Sequence, residues 1–188
     1  MRSPLDPFIP EGDARERHAV TVRAPAALVD RVARGFDLQS LPLVHAIFWL
    51  RGKLMRATPV PRQARGFIEE MQSLGWGTLV DRPGELFVAG ATCRPWLADV
   101  VFTPLSAETF RGFAEPGVVK IAWTLECRAT GPARTELVTE TRVIATDGKA
   151  REQFLGYWRW ARMGILPIRW LLLPAIRKRA EAEWRGAS

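Results

Sequence analysis

Cysteine and histidine are scarce in this chain of 188 residues. Cys93 and Cys127 have neither CxxC spacing nor a close partner, and His18 and His45 are the only histidines. A structural zinc site takes about four ligands, and these four residues are too scattered to supply one. No metal and no cofactor are expected. Unpaired thiols fit a reducing compartment, which makes a cytoplasmic location the default. No GxSxG elbow, Walker loop, dinucleotide glycine motif or HExxH pair occurs, so the common nucleophilic, phosphate-cradling and zinc-hydrolase signatures are missing. The glycines of the run Gly75–Gly84 lack the strand–turn–helix setting that a phosphate cradle needs. Long apolar runs are missing too. Ile165–Ile176 and Leu41–Leu50 fall short of the roughly 20 residues of a spanning helix, and Arg169 breaks the first. Met1–Arg17 carries no apolar core, so no signal peptide is expected. There is no internal repeat and no low-complexity tract.

What is present is ordinary in bulk and uneven in placement. With 47% hydrophobic and 25% charged residues, the composition is that of a soluble globular protein with a sizeable core. The formal net charge is +7, and between Arg151 and Arg185 eight Arg or Lys face three Glu. A basic helix of this kind suits an anionic surface or ligand, or serves as a solvated face. No nucleic-acid recognition motif accompanies it, so no nucleic-acid partner is expected.

The stretch from Thr146 to Ala182 organises the rest. Thr146 or Asp147 can cap a helix, and Ala150, Phe154, Tyr157, Trp158, Ala161 and Ile165 recur at helical spacing. Gly164 and Pro167 interrupt that pattern, and a second apolar helical stretch follows through Ile176. Val118–Ala129 alternates Val119, Ile121, Trp123, Leu125 and Cys127 against Lys120, Thr124, Glu126 and Arg128, which is the period of a strand. Arg134–Thr146 is a second long strand, and the turn Thr130–Ala133 makes the two a hairpin. Earlier strands are expected at His18–Ala24, Gly77–Asp81 and Glu85–Thr92, the last two joined by Arg82-Pro83-Gly84. A short strand at Ala98–Phe102 and a weak one at Thr109–Phe113, turned by Glu115-Pro116-Gly117, complete the sheet. Helices are expected at Ala26–Ala33, Leu38–Leu54 and Arg62–Ser73. Residues 1–17 read as a flexible tail, leaving one domain over 18–184. The class is α+β, with helices on one face of an antiparallel sheet.

Three phrases carry a resemblance: "APAALVDRV" after the opening strand, "GELFVAGATCRPW", and the run from Phe113 to Arg162 followed by "AIRKRAE". Over roughly residues 18–182 the chain resembles the START-like (SRPBCC, helix-grip) superfamily, as an uncharacterised bacterial branch. The resemblance implies a curved antiparallel β-sheet wrapped around a long C-terminal α-helix, to which this chain adds a helical insert after the first strand. It further implies an apolar cavity between sheet and helix that holds a lipid, a polyketide or an aromatic molecule. Some relatives cyclise or dehydrate polyketides. The insert at 38–73 and the prolines Pro167 and Pro174 depart from the simplest family pattern and bear on the size of the cavity.

The candidate ligand-binding residues are Trp96, Trp123, Leu125, Phe154, Tyr157 and Trp158, with Trp123 and Trp158 as the leading pair. Trp76 and Trp160 lie on the same elements. Aromatics at such a gap line a pocket or simply fill a core. Glu140 and Arg142 share one strand face, with Glu126 opposite. Turned inward, a carboxylate there would suit acid–base work, whereas turned outward it is an ordinary surface ion pair. The polar face marked by Lys120, Glu126 and Arg128 favours the outward reading. Glu140, Arg142 and Tyr157 are the weak catalytic candidates, with His45 beside them, so enzymic activity stays open and a binding protein is favoured. Peripheral membrane contact through Ile165–Arg179, which includes Trp170, is a further alternative.

Overall fold

The computed structural model describes residues 2–37, 40 and 66–187, with the backbone but not the side chains of residues 163–169. Six strands form one antiparallel sheet: β1 (Ala14–Val22), β2 (Gly77–Arg82), β3 (Leu86–Cys93), β4 (Thr103–Pro104), β5 (Val119–Gly131) and β6 (Arg134–Ala145). The order across the sheet is β1-β6-β5-β3-β2, and the two-residue β4 pairs with β3. Helix α1 (Ala26–Arg34) follows β1, α2 (Phe67–Ser73) precedes β2, α3 (Ala107–Gly112) precedes β5, and α4 (Gly148–Ala187) closes the chain. This is the α+β arrangement expected, a curved open sheet with a long C-terminal helix. The expected helix at Leu38–Leu54, and His45 within it, lie outside the described residues.

The β5–β6 hairpin forms as its alternation demands, with Trp123 opposite Thr141 and Cys127 opposite Leu137. Odd-numbered residues of β5 face α4. Even-numbered ones face the far side of the sheet. Gly84 and Gly117 take φ of 82° and 84° in the two expected turns, a region that costs an L side chain strain. Asp147 sets the start of α4. Its Oδ1 accepts from the Ala150 N–H at 2.8 Å and its Oδ2 from the Gly117 N–H, so one carboxylate caps the helix and ties it to the turn before β5. The backbone hydrogen bonds to Asp147 hold its carboxyl below the usual range. Helix α4 then runs without a break through Gly164 and Pro167, where an interruption was expected, and on through Pro174. Neighbouring elements hold it at both ends, and that outweighs the local cost of a proline.

Other expectations need correction. Strand β1 begins at Ala14, not His18. Residues 3–13 are packed against the sheet rather than loose: Leu5, Phe8 and Ile9 are buried with Leu79, Leu86, Val88, Phe110 and Ala122 in a core on the far face. Of the stretch read as a weak strand at Thr109–Phe113, all but Phe113 belongs to α3, because Ser106 caps that helix by accepting from the Thr109 N–H at 3.1 Å. The short strand falls at Thr103–Pro104 instead of Ala98–Phe102. Gly90 is required where it stands, since a Cβ there would meet Leu79 Cδ1 at 2.5 Å and Phe110 Cε2 at 2.9 Å.

Candidate functional site

The face of the sheet beneath α4 carries two apolar clusters. One gathers Trp123, Leu125, Phe87 and Trp76 with Leu172, Leu173 and Ile176 of α4. The other gathers Val119, Val143 and Cys93 with Phe154, Tyr157 and Ala161, also of α4. Phe102 and Ile121 pack against both and stay half-buried. The helix therefore grips the sheet at two places, and its middle turns cross between them.

The structure divides the six candidate ligand-binding residues between these clusters. Trp123 and Leu125 belong to the first, and Phe154, Tyr157, Trp158 and Trp96 to the second. Trp123 is 7% exposed and sits among rings: Phe67 at 5.1 Å, Phe87 at 5.6 Å and Trp76 at 6.1 Å between centroids. It fills core. Trp158 is half-buried and stacks on Phe154 at 5.8 Å, so the leading pair of the sequence reading does not meet in one wall. Trp96 is also half-buried. Tyr157 is nearly buried and meets the Trp160 ring edge-on at 5.0 Å.

Glu140 and Arg142 lie on the far face, away from α4, and they are not solvated either. Each is 3% exposed. Glu140 accepts from Arg142 Nε at 2.7 Å and from Ser3 Oγ at 2.9 Å, and Arg15 Nε lies 2.9 Å away. Arg142 also donates to the backbone carbonyls of Ile9 and Pro10 at 2.7 and 3.0 Å and pairs with Asp6 at 2.8 Å. Burial alone would raise the pKa of Glu140. The hydrogen bonds from Arg142 and Ser3, with the charges of Arg142 and Arg15, outweigh it and hold the carboxyl below its ordinary value. A carboxylate so held is a poor general base at neutral pH. The pair is a clasp for the N-terminal segment, covered by residues that the sequence reading had set aside as a tail. Glu126 lies on the same far face and is taken up by Arg128 at 2.7 Å.

Polar residues do reach the helix-facing side, at positions that sequence reasoning left out of the site. In the register of β1 with β6, Glu16 stands opposite Thr141 and His18 opposite Thr139, and Thr141 is in turn opposite Trp123. His18 Nε2 lies 3.8 Å from Glu16 Oε2. Ala14 at the start of β1 packs with Phe154 and Tyr157, whereas Val22 at its end packs with Leu172 and Ile176. Glu16 and His18 thus fall beneath the middle of α4. The signal was present in the alternation of β1, which extends back through Glu16.

Cys93 and Cys127 are buried free thiols. Burial pushes both up to about 12, and Asp30 adds to the effect on Cys127. Among the described residues no group of three or more His, Cys, Asp or Glu is placed to hold a metal ion, and no helix is long and apolar enough to cross a membrane. An open groove of about 440 Å³ runs along Ala26, Gly84, Glu126 and Cys127 at the end of the sheet; none of the six candidates lines it.

No protein-family model matches the chain, and no curated protein does. Among solved structures it is similar to a hypothetical protein of Helicobacter pylori, at 11% identity over 96% of this chain and 95% of that one, with a TM-score of 0.42. It is similar to a protein of Deinococcus radiodurans at 18% identity over 80% of this chain and 99% of that one, with a TM-score of 0.33. It is also similar to an aromatase/cyclase of a Streptomyces species at 14% identity over 93% and 98% of the two chains, with a TM-score of 0.29.

Proposed function

We propose that the chain is a START-like binding protein that holds a hydrophobic small molecule between the sheet and α4. One observation carries the reading. Ile121 and Phe102 stay half-buried where they pack against both apolar clusters, and Trp96 and Trp158 stay half-buried against the second. A pocket for an apolar ligand is built from such aromatic and aliphatic walls with a few polar groups. The sequence resemblance supports the same place for a ligand. With Glu140 and Arg142 clasped on the far face, the cyclase or dehydratase alternative retains Tyr157 of its three candidates.

Native mass spectrometry of the purified protein, followed by solvent extraction, tests the reading. A reproducible added mass released on denaturation supports it and gives the chemical class of the ligand. A bare mass, together with no uptake of the neutral dye Nile red, would leave the aromatic residues as core alone.

A second reading is favoured by a specific observation: Trp170 is 64% exposed and Trp160 40% exposed on the basic helix. Exposed tryptophans beside Arg residues suit the headgroup region of an anionic bilayer. Salt-sensitive cosedimentation with phosphatidylserine vesicles, weakened by Trp170→Ala, supports peripheral attachment, and equal recovery with neutral vesicles removes it.

A further inference from the structure

We propose that Thr21, Arg23, Arg134 and Arg177 form a binding site for the phosphate group of a phosphomonoester. The site shares none of the six candidate ligand-binding residues. It goes beyond the apolar-ligand reading and does not depend on it.

Placement is the first support. An open pocket of about 250 Å³ is lined by Thr21, Arg23, Ala133, Arg134 and Arg177. Its three arginines come from three elements: the end of β1, the start of β6, and α4. Pairing is the second. The register of β1 with β6 ends at Val22 opposite Thr135, and one step further brings Arg23 level with Arg134. Like charges directly opposite are destabilising, and among the described residues no carboxylate pairs with either guanidinium. The backbone around both is nonetheless fixed, because Thr135 Oγ1 donates to the Ala24 carbonyl at 2.8 Å and Thr130 Oγ1 to the Arg134 carbonyl at 3.2 Å. Glu181 is the third. Its Oε1 accepts from the Arg23 N–H at 3.0 Å and lies 3.2 Å from Arg177 Nε. That contact holds Arg177 at the pocket and, among the described residues, leaves its two terminal nitrogens open. Glu136, opposite Thr21, is drawn instead to Arg128 at 3.5 Å.

Charge and geometry set the ligand. Three guanidinium groups against the single carboxylate of Glu181 leave positive charge in excess. A phosphomonoester carries a charge of about −1.5 to −2 at pH 7 and presents three acceptor oxygens. Guanidinium forks meet such oxygens two at a time, and Thr21 has a hydroxyl to add. A carboxylate ligand brings less charge and one oxygen fewer. Arginines merely spread over a solvated face would attract any anion through their summed field, with no preference between the two.

Calorimetric titration of the full chain with phenyl phosphate and with benzoate tests the site. Cosedimentation with phosphatidic acid vesicles, against phosphatidylserine vesicles of matched surface charge, finds the source of the phosphate. Charge-assisted hydrogen bonds are the strong ones, so wild type should bind phenyl phosphate at least about tenfold more tightly than benzoate. Arg23→Gln/Arg134→Gln should abolish that preference; both side chains are exposed, so the fold should stand. Lys178→Gln/Arg179→Gln removes the same charge from exposed positions of α4 and should keep the preference. Capture by phosphatidic acid over phosphatidylserine, lost in the first variant, supports the site and makes a lipid headgroup its ligand. A preference seen with phenyl phosphate alone supports the site and makes the ligand a soluble phosphomonoester. No preference for phosphate in either format, or an equal loss in the two variants, overturns the site and leaves the arginines as a diffuse basic surface.

Discussion

Arg142 shows what a single residue does in this molecule. Its guanidinium reaches Glu140, Asp6 and two backbone carbonyls of the N-terminal segment, all within 3.0 Å. Removing one partner of a buried ion pair strands the other, at a typical cost of 3–5 kcal/mol. Arg15 remains beside Glu140, so Arg142→Met should lose about 3 kcal/mol, the low end of that range, by urea unfolding. The same cluster sets a pH dependence. Glu140 and Asp6 both titrate below their ordinary values, for in each case hydrogen bonds and the charges of Arg142 and Arg15 overcome the effect of burial. Their folded pKa values lie below their unfolded ones. The stability they contribute is therefore present above about pH 5 and lost as the pH falls below about 4. The urea midpoint should drop steeply below pH 4 in wild type and more gently in Glu140→Gln; identical slopes would remove the clasp from the account of acid sensitivity. The thiols make a separate prediction. With both pushed to about 12 and buried, Cys93 and Cys127 should ignore a thiol-reactive disulfide reagent at pH 8 in the native protein and react only in urea.

At the scale of elements, the cap of α4 joins sequence to architecture most directly. Asp147 serves the first turn of the helix and the turn before β5 at once. A capping residue replaced by Ala typically costs about 1 kcal/mol. Because two backbone donors lose their acceptor, Asp147→Ala should cost at least that, read as a fall in the thermal midpoint, and Asp147→Asn should recover most of it. An unchanged midpoint in Asp147→Ala would show that the packing of Phe154 and Ala161 places the helix without its cap. This cap was legible in the sequence, as were the β5–β6 hairpin and the turns at Gly84 and Gly117, because each is written in local chemistry. What was not legible depended on distant partners. Thr109 and Phe110 favour a strand by propensity, but Ser106 and the far-face core make that segment a helix. Arg15 and Arg17 look like a solvated tail until β6 supplies a strand to pair with. For the candidate site, the hairpin register placed Trp123 under α4, as expected. The aromatic shell that closes around it comes from Phe67, Trp76 and Phe87, and no spacing rule brings those three together. Glu16 and His18 take their place on the helix-facing side only because β1 extends back past them to Ala14.

Among the described residues, apolar packing lies on both sides of the sheet, and that on the far face depends on the first dozen residues. Leu5, Phe8 and Ile9 are almost fully buried against Leu79, Val88 and Phe110. Phe8 meets Phe110 edge-on at 6.2 Å, and Arg111 lies over the Phe8 ring at 4.7 Å. At its end Asp13 accepts from the Ala145 N–H at 2.8 Å and from Arg151 at 2.6 Å, which fastens the segment to both β6 and α4. Burying an aliphatic or aromatic side chain contributes about 1.5–3 kcal/mol, so three of them contribute roughly 5 kcal/mol or more. That is comparable with the whole stability of a typical domain. A chain shortened to begin at Asp13 should accordingly unfold at a much lower urea concentration, bind more of a hydrophobic dye, and elute as larger species at micromolar concentration. Leu5→Ala/Phe8→Ala in the full-length chain should reproduce the loss of stability with the Arg142 clasp left in place. If instead the shortened chain unfolds at the wild-type midpoint and elutes as the wild type does, the far-face core is a surface adornment, and the sheet draws its stability from α4 alone.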